Sequence, residues 1–187
     1  MIYPITVYGD PLLRKKTQPV AENFEGLKEL VENMFETMYE SDGVGLAAPQ
    51  IGKPLRIFVV DASPAADEEP GLKDFKKVFI NPEIIERTGD SWIMNEGCLS
   101  LPDIREDVSR PEQVKIKFLD ENRIEHIEEY TGFAARVVQH EYDHLDGILL
   151  IDYLSPLRKR LLKSKLTNIS KGNVKTTYRI VLPGKHR

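Results

Sequence analysis

The sequence predicts a single domain that combines α-helices with antiparallel strands, and three observations support this prediction. Apolar residues recur at spacings of three and four from residue 27 to residue 39, as in an amphipathic helix. Apolar and charged residues alternate over residues 114 to 118, and a turn at Asp120-Glu121-Asn122 leads into residues 123 to 130, which indicates a β-hairpin. A second helical pattern covers residues 131 to 147 and contains H-E-x-x-H. The 187 residues suit one domain with a buried core, which we expect to span residues 1 to 187.

The elements of the first half follow an irregular N-terminal segment. Residues 1 to 22 contain a turn at Gly9-Asp10-Pro11 and are expected to wrap the core. The first helix is expected to end before Gly43. Residues 55 to 61 are predicted to form a strand, and residues 63 to 74 an exposed acidic loop without evident chemistry. Three strand-like pieces then predict a short antiparallel meander, at residues 78 to 81, 83 to 87 and 91 to 94.

The C-terminal part is predicted to contain a third helix. Ser155-Pro156 provides a serine for the N-cap and a proline for the first helical position. Leu157, Leu161 and Leu162 are expected to pack this helix against the core, with its basic residues facing outward. A last strand is predicted over residues 178 to 182.

Charge is distributed unevenly along the chain. Residues 153 to 187 contain ten Lys and Arg residues and no Asp or Glu, so the net charge of −4 divides into +10 for this end and −14 for residues 1 to 152. Two interpretations of this basic extension, about residues 155 to 187, carry equal weight. It is either a solvated tail or an electrostatic contact with RNA or another acidic surface.

Composition and cysteine content also indicate the cellular compartment. Hydrophobic residues make up 41% and charged residues 30% of the chain, which is ordinary for a soluble globular protein. The N-terminus carries no secretory signal pattern, and the apolar runs are too short to cross a bilayer. The single cysteine, Cys98, excludes an internal disulfide and fits a reducing compartment. We therefore expect a cytoplasmic protein with neither a membrane nor DNA as its partner.

The helix predicted over residues 131 to 147 carries a candidate metal site. His140 and His144 are four residues apart, so they lie one above the other on a helix, with Glu141 beside them. A random H-E-x-x-H pattern is more often part of a solvated surface than a metal site. Here the three residues share a face with Phe133 and Val137. The opposite face is predicted to be polar and is formed by Arg136, Gln139, Asp143 and Asp146.

This placement favours the metal interpretation. Two imidazoles and a carboxylate on an apolar face would cost several kcal/mol if they had no partners. A divalent cation would satisfy both histidines at once, and it would lower the pKa of a coordinated water from 15.7 to about 7.

Two other segments could complete such a site. Residues 43 to 52 contain three glycines and a proline, which suits a tight loop close to a ligand, whereas a phosphate loop would need a Lys-Ser/Thr pair that is missing. Gln50 either caps a turn there or donates an amide N–H to a carbonyl oxygen. A lone cysteine is by default a small core residue, but the thiolate of Cys98 could join two histidines and leave one coordination position open for water.

Metallopeptidases with this pattern differ in their third ligand. One group uses a glutamate downstream, and no glutamate follows Glu141. Another uses a third histidine, and residue 150 is a leucine. Cys98 remains as the candidate.

The sequence resembles those of the peptide deformylases. Residues 43 to 50 (GVGLAAPQ), 96 to 100 (EGCLS) and 139 to 144 (QHEYDH) are similar to the three motifs of that family, in its order and approximate spacing. Residues 5 to 14 are also similar to family members, so the resemblance covers residues 1 to about 155.

The resemblance implies an α+β fold in which mostly antiparallel β-sheets pack around a central metal-binding α-helix, with an N-terminal and a C-terminal helix. It also implies a hydrolase that removes the formyl group from the N-terminal formyl-methionine of newly synthesised proteins. By match to the motifs, Cys98, His140 and His144 would bind one divalent metal ion. In the family this is typically Fe²⁺, and Zn²⁺, Ni²⁺ or Co²⁺ can replace it.

The resemblance also implies roles for residues around the metal. Glu141 would act as general base and then as general acid, and Gln50 with the backbone N–H of Leu99 would stabilise the oxyanion. The residues expected to border the methionine side chain are Val44, Gly45, Phe133 and Val137. The expected partner is a formylated nascent polypeptide, and the basic C-terminal region suggests the ribosome as a second partner.

Two other classes of protein are weighed against this hydrolase. A zinc-stabilised binding module would need a closed fourth ligand, and no second cysteine is available for it. A nucleic-acid-binding protein would depend on the basic extension alone. Neither class accounts for the glycine-rich segment that contains Gln50.

Overall fold

The structure is a computed structural model that describes residues 1–185, so Arg187 of the predicted basic extension lies outside the described residues. The described residues form an α+β fold with three α-helices, a five-stranded antiparallel sheet and a two-stranded sheet. The helices are α1 (Leu27–Glu40), α2 (Gly132–Leu145) and α3 (Pro156–Ser170). The strands are β1 (Ile5–Thr6), β2 (Gly45–Ala47), β3 (Ile57–Asp61), β4 (Lys76–Gly97), β5 (Arg105–Leu119), β6 (Glu125–Thr131) and β7 (Ile180–Val181).

The five-stranded sheet has the order β2-β3-β4-β5-β6, and its neighbours all pair antiparallel. The predicted meander over residues 78 to 94 is wrong, because these residues belong to one continuous strand, β4, which pairs with β3 at its start and with β5 from Ile80 to Gly97. The pairing register shifts at three places, between residues 80 and 83, 84 and 86, and 88 and 91. Such irregularities interrupt the alternation of side chains, which is why the sequence reads as three separate pieces.

The predicted hairpin is confirmed and leads directly into α2. β5 pairs with β6 from Leu119↔Glu125 to Gln113↔Thr131. At the turn, the Asp120 carboxylate accepts hydrogen bonds from the backbone N–H groups of Asn122 and Ile124, at 2.8 and 2.9 Å. Helix α2 follows β6 directly, since Thr131 ends the strand and Gly132 starts the helix.

The N-terminus of α2 is capped by the acidic loop. Thr131 occupies the predicted N-cap position, but its side chain makes no capping hydrogen bond. Instead, the Glu69 carboxylate accepts from the backbone N–H of Phe133, with oxygens at 3.2 and 3.4 Å. A carboxylate also interacts favourably with the positive end of a helix. The loop at residues 63 to 74, predicted to be an exposed acidic loop, thus supports α2 and buries Leu72.

Helix α2 packs against β2, β3, β5 and β6 and is buried on nearly every side. The prediction that Arg136, Gln139 and Asp143 form an exposed polar face is wrong, since these side chains are 2%, 1% and 3% exposed. They are accommodated because each has hydrogen-bonding partners inside the protein. Asp146 is partly buried and pairs with Arg56 at 2.8 Å.

Helix α3 begins as predicted but packs through a different stripe. The Ser155 hydroxyl accepts a hydrogen bond from the backbone N–H of Arg158, as expected for an N-cap. Leu157 and Leu161, predicted to be packed, are 67% and 62% exposed. Leu162 is buried as expected, and the other buried residues of α3 are Leu166 and Ile169, on its next two turns.

The end of the chain returns to its beginning. β7 pairs parallel with β1, with Ile5 opposite Ile180 and Thr6 opposite Val181, so the predicted last strand is present in a shorter form. Within residues 1–185, none of the helices has the length and apolar character needed to cross a bilayer.

Candidate metal centre

Three potential metal ligands converge from two parts of the fold. Cys98 follows the end of β4, and His140 and His144 lie on successive turns of α2. One donor atom from each lies within 4.8 Å of the other two. The Cys98 Sγ atom is 3.3 Å from Nε2 of His144. The structure therefore brings together the three residues that the sequence selected.

The chemistry of these donors fits a divalent cation. One thiolate and two imidazole nitrogens are ligands that zinc and ferrous iron accept, and a tetrahedral cation held by these three residues would keep one position for water. Burial lowers the pKa of His144 well below its usual value, so its ring is neutral, as a ligand must be. Burial opposes protonation of His140 as well, but Cys98 and Glu96 raise its pKa, and a cation at the site would displace that proton.

A carboxylate orients the first histidine. Nδ1 of His140 is 2.9 Å from Oε2 of Glu96, and this contact leaves Nε2 as the nitrogen available to a metal. Burial alone would raise the pKa of Glu96, but hydrogen bonds from His140 and Arg110 lower it well below its usual range. Glu96 lies inside the EGCLS motif, and its role was not predicted from the sequence.

Two buried arginines hold Glu96 in place. Arg110 donates from Nε and Nη2 to the two carboxylate oxygens, at 2.7 and 3.0 Å. Arg136 donates from Nη1 to Oε1 at 2.9 Å. Arg110 also donates to Asp143, at 2.7 Å, and Asp143 accepts from the hydroxyl of Tyr153 at 2.7 Å. We call Glu96, Arg110, Arg136 and Asp143 the buried charge network, and Tyr153, which is 46% exposed, contacts it from outside.

This network is hard to predict from a sequence. Arg110 lies in β5, outside the three motifs, and the prediction places Arg136 and Asp143 on the polar face of the helix, away from the site. Arginine and aspartate are rarely buried unless they are paired, and the pairing partner cannot be identified from one sequence.

Glu141 lies beside the three ligands and is almost fully buried. Its Oε2 atom has no hydrogen-bond partner among the described residues. Burial raises its pKa to about 7, and a cation on the neighbouring ligands would oppose this rise by favouring the carboxylate. A group with a pKa near neutrality and a free oxygen is suited to proton transfer.

Gly45 provides the space for Glu141. A Cβ atom on residue 45 would come within 2.5 Å of Oε1 of Glu141 and 2.7 Å of its Cγ. Any larger residue would push the carboxylate away. This close approach explains a glycine at a position where β2 continues with buried apolar residues.

Gln50 caps its turn, and its side-chain amide also lies beside the metal ligands. Its Oε1 atom accepts from the backbone N–H of Ala47 at 2.9 Å, as a turn cap would. Its Nε2 group is 3.3 Å from the Ser100 hydroxyl and 3.7 Å from Cys98 Sγ, so its N–H donors face the metal ligands.

One cleft with a volume of about 530 Å³ is lined by Gln50, Cys98, His140 and Glu141. Leu99 lines it, and so does Tyr178 from the C-terminal segment, which no sequence motif connects with the site. The Tyr178 hydroxyl donates to the backbone carbonyl of Leu99 at 2.8 Å. The residues predicted to border the substrate also line the cleft: Val44, Gly45, Phe133 and Val137.

Comparisons with known proteins agree with these features. The sequence model of the family described as "Polypeptide deformylase" matches residues 2–160. The peptide deformylase of Christiangramia forsetii is 53% identical over 98% of this chain and 97% of its own, and that of Flavobacterium psychrophilum is 47% identical over the full length of both. Among solved structures, the Thermus thermophilus peptide deformylase is 42% identical with a TM-score of 0.81, over 92% of this chain and all of that one. A Legionella pneumophila peptide deformylase is 39% identical with the same TM-score, over 92% and 98%.

Proposed function

This chain belongs to the peptide deformylase family, and we propose that its cleft is where it removes the formyl group from the N-terminal formyl-methionine of newly synthesised proteins. The observation that carries the assignment of the cleft is the convergence of Cys98, His140 and His144 within 4.8 Å. Glu141 and Gln50 lie next to these ligands, and an apolar wall lies beside them.

We propose that Cys98, His140 and His144 hold one divalent metal ion, and that this ion is Fe²⁺, with Zn²⁺, Ni²⁺ or Co²⁺ as substitutes. The ligand set suits both zinc and ferrous iron, so the preference for iron rests on the family resemblance. When bound, the cation supplies Lewis-acid chemistry and brings the pKa of a water molecule close to neutrality.

Glu141 is proposed to move the proton. Its free carboxylate oxygen accepts a proton from the water that attacks the formyl carbon, and the bond between that carbon and the methionine nitrogen then breaks. Glu141 returns the proton to the departing nitrogen, so that formate and a free amino terminus are released. Its burial and its shape-matched space against Gly45 keep the carboxylate at this position.

Gln50 and Leu99 are proposed to stabilise the negative charge that develops on the formyl oxygen. Gln50 has its Oε1 atom fixed by Ala47, which directs Nε2 toward the metal ligands. The backbone N–H of Leu99 is the second donor. Loss of one such donor typically lowers turnover by about a hundred- to a thousandfold.

The methionine side chain is proposed to lie against the apolar part of the cleft. Val44 and Phe133 are partly exposed to it, and Val137 contributes from α2. Gly45 keeps the backbone of β2 close to the substrate as well as to Glu141. A flexible, unbranched apolar side chain fits such a wall.

A second partner is proposed for the basic C-terminal extension. The exposed surface of α3 combines Leu157 and Leu161 with basic side chains, and this supports a contact with the ribosome, from which the substrate emerges. A substrate of this kind also implies that the protein works in the cytoplasm. We propose that the extension belongs to a single domain spanning residues 1 to 187, because Leu162, Leu166 and Ile169 anchor α3 to the core.

The test is a formyl-peptide hydrolysis assay on protein purified without oxygen, together with elemental analysis. Glu141→Ala is expected to retain the metal and to lose at least about a hundredfold in kcat, because the proton carrier is removed. Glu125→Ala, which removes an exposed carboxylate from β6, is the control and should match the wild type. Wild-type turnover in Glu141→Ala would reject the role of Glu141.

Removal of a ligand tests the metal site itself. Cys98→Ala is expected to lose the metal, because two histidines alone bind a cation weakly. An unchanged metal content in Cys98→Ala would exclude the thiolate as a ligand. A protein that needs its metal to fold but hydrolyses no formyl-peptide would instead be a zinc-stabilised binding module.

A further inference from the structure

The turn that follows β4 is held through three consecutive backbone carbonyls. The Cys98 carbonyl accepts from the backbone N–H of Leu101, and the Ser100 carbonyl accepts from the backbone N–H of Tyr8, both at 2.9 Å. The carbonyl between them, that of Leu99, accepts from the hydroxyl of Tyr178 at 2.8 Å. The middle carbonyl is thus the one that depends on a side chain from a distant part of the chain.

The C-terminal segment is fixed at this position by its own backbone. The N–H of Ile5 donates to the carbonyl of Arg179 at 2.8 Å, and that of Val7 donates to the carbonyl of Val181 at 3.2 Å. These bonds flank Tyr178 on its C-terminal side and do not involve its hydroxyl. The segment can therefore stay docked without the hydroxyl, which has a separate role.

Tyr178 lies outside residues 2–160, the part of the chain that the family model matches. Its ring packs, as does Leu99, against the apolar cluster that contains β3 and α1 residues. Its hydroxyl reaches the peptide group immediately after the N–H that is proposed to bind the formyl oxygen. The cleft is therefore completed by a segment that the three sequence motifs do not include.

We propose that Tyr178 is a positioning residue for deformylation, which holds the Leu99 carbonyl so that the Leu99 N–H keeps its direction toward the formyl oxygen. This inference rests on the proposed function, since it assumes that the Leu99 N–H is an oxyanion donor. The two peptide groups on either side of the Leu99 Cα are each held by one hydrogen bond, from Leu101 and from Tyr178. Loss of the second bond lets the backbone rotate, and a donor that moves stabilises the transition state less well.

The first measurement is steady-state kinetics of Tyr178→Phe on a formyl-methionyl peptide. This substitution keeps the ring and removes the hydroxyl. The Leu99 N–H is needed more in the transition state than in the ground state, because the negative charge on the formyl oxygen develops there. Loss of the Tyr178 hydrogen bond is therefore expected to lower kcat about three- to tenfold with KM unchanged. Tyr39→Phe is the matched control, since its hydroxyl donates to Asp61 at 2.6 Å, away from the cleft, and it should keep the wild-type kcat.

The second measurement does not use activity. In zinc-loaded, uniformly ¹⁵N-labelled protein, amide exchange of Leu99 is expected to be faster in Tyr178→Phe than in the wild type, while zinc content stays the same. Amide exchange of Ile5 and Val7, whose N–H groups bind the C-terminal segment, should be unchanged, because the segment remains docked.

Three results are distinguishable. Unchanged kcat and unchanged Leu99 exchange in Tyr178→Phe would overturn the inference. Faster exchange at Ile5 and Val7, with kcat and KM both altered, would also overturn it, because Tyr178 would then only anchor the segment. A wild-type protein without formyl-peptide hydrolysis would refute the proposed function, and the exchange data would still report whether Tyr178 holds the Leu99 peptide.

Discussion

The two halves of β5 follow the same alternation but bury different side chains. In its C-terminal half, the inward positions are Val114, Ile116 and Phe118, which belong to the apolar core around α2. In its N-terminal half, the same alternation buries Glu106, Val108 and Arg110, so two of the three inward side chains are charged. The C-terminal half thus packs in the core around α2, whereas the N-terminal half contributes Arg110 to the metal centre.

The difference follows from what lies opposite each half. Arg110 faces Glu96 and Asp143, and Glu96 orients the ring of His140. An apolar side chain could fill the space of Arg110, but it could not fix the direction of a carboxylate. A buried ion pair is weak evidence for stability, so its presence here points to the orientation of a ligand. The following predictions test whether the two halves differ in this way.

The largest effect is expected for Arg110→Leu. This substitution leaves Glu96 and Asp143 buried without their main donor, and breaking a buried ion pair in this manner typically costs about 3 to 5 kcal/mol of unfolding free energy. Urea unfolding at equal metal loading measures this loss. Arg105→Leu is the control, because Arg105 is on the outward side of the same half of β5 and bonds to exposed Asn95. Equal stability of Arg110→Leu and the wild type would show that shape alone is needed at this position.

A smaller and more specific effect is expected for Glu96→Gln. The amide keeps the size of the side chain but not the charge that orients His140, and loss of such a partner typically weakens metal binding by about ten- to a hundredfold. Competition with a chelator measures this affinity. Glu106→Gln changes another buried carboxylate, which bonds to Arg158 rather than to a ligand, and should bind metal as the wild type does. Equal losses in both variants would mean that the network acts only through stability.

The apolar half of β5 should show the opposite pattern. Ile116→Val removes one methyl group from a fully buried position, which typically costs about 0.5 to 1.5 kcal/mol. Metal affinity should not change, because Ile116 belongs to the apolar cluster around α2, which includes neither the three ligands nor Glu96. Thermal unfolding and the same chelator competition check both statements. A weaker metal affinity in this variant would show that the two halves of β5 are not separate in function.

The same comparison explains which elements could be predicted from the sequence. Helices α1 and α2 and the hairpin of β5 and β6 follow hydrophobic periodicity, and H-E-x-x-H places two ligands through helix geometry alone. The burial of Arg136, Gln139 and Asp143 could not be predicted, because periodicity assigns polar residues to solvent. Only the tertiary structure supplies the partners that make their burial possible.

Other differences have local causes. β4 was divided into three pieces because its pairing with β5 shifts register three times, and each shift breaks the alternation. The stripe of α3 was misplaced because Leu157, Leu161 and Leu162 are equally apolar, and the sequence does not indicate which side meets the core. The contact of Tyr178 with Leu99 joins residues 79 positions apart and involves a single hydroxyl, for which no periodic pattern exists.

The smallest effect is expected on the outward face of β5, where Lys117 pairs with Glu125 of β6 at 3.1 Å. These side chains are 44% and 54% exposed, so water screens their attraction, unlike that of Arg110 and Glu96. A double-mutant cycle of Lys117→Ala and Glu125→Ala should give a coupling energy of about 0.5 kcal/mol or less, and it should shrink further in 1 M salt, at which the Debye length is about 3 Å. A coupling above about 1 kcal/mol that persists in high salt would contradict the distinction, because exposed pairs on this strand would then hold the fold as strongly as buried ones.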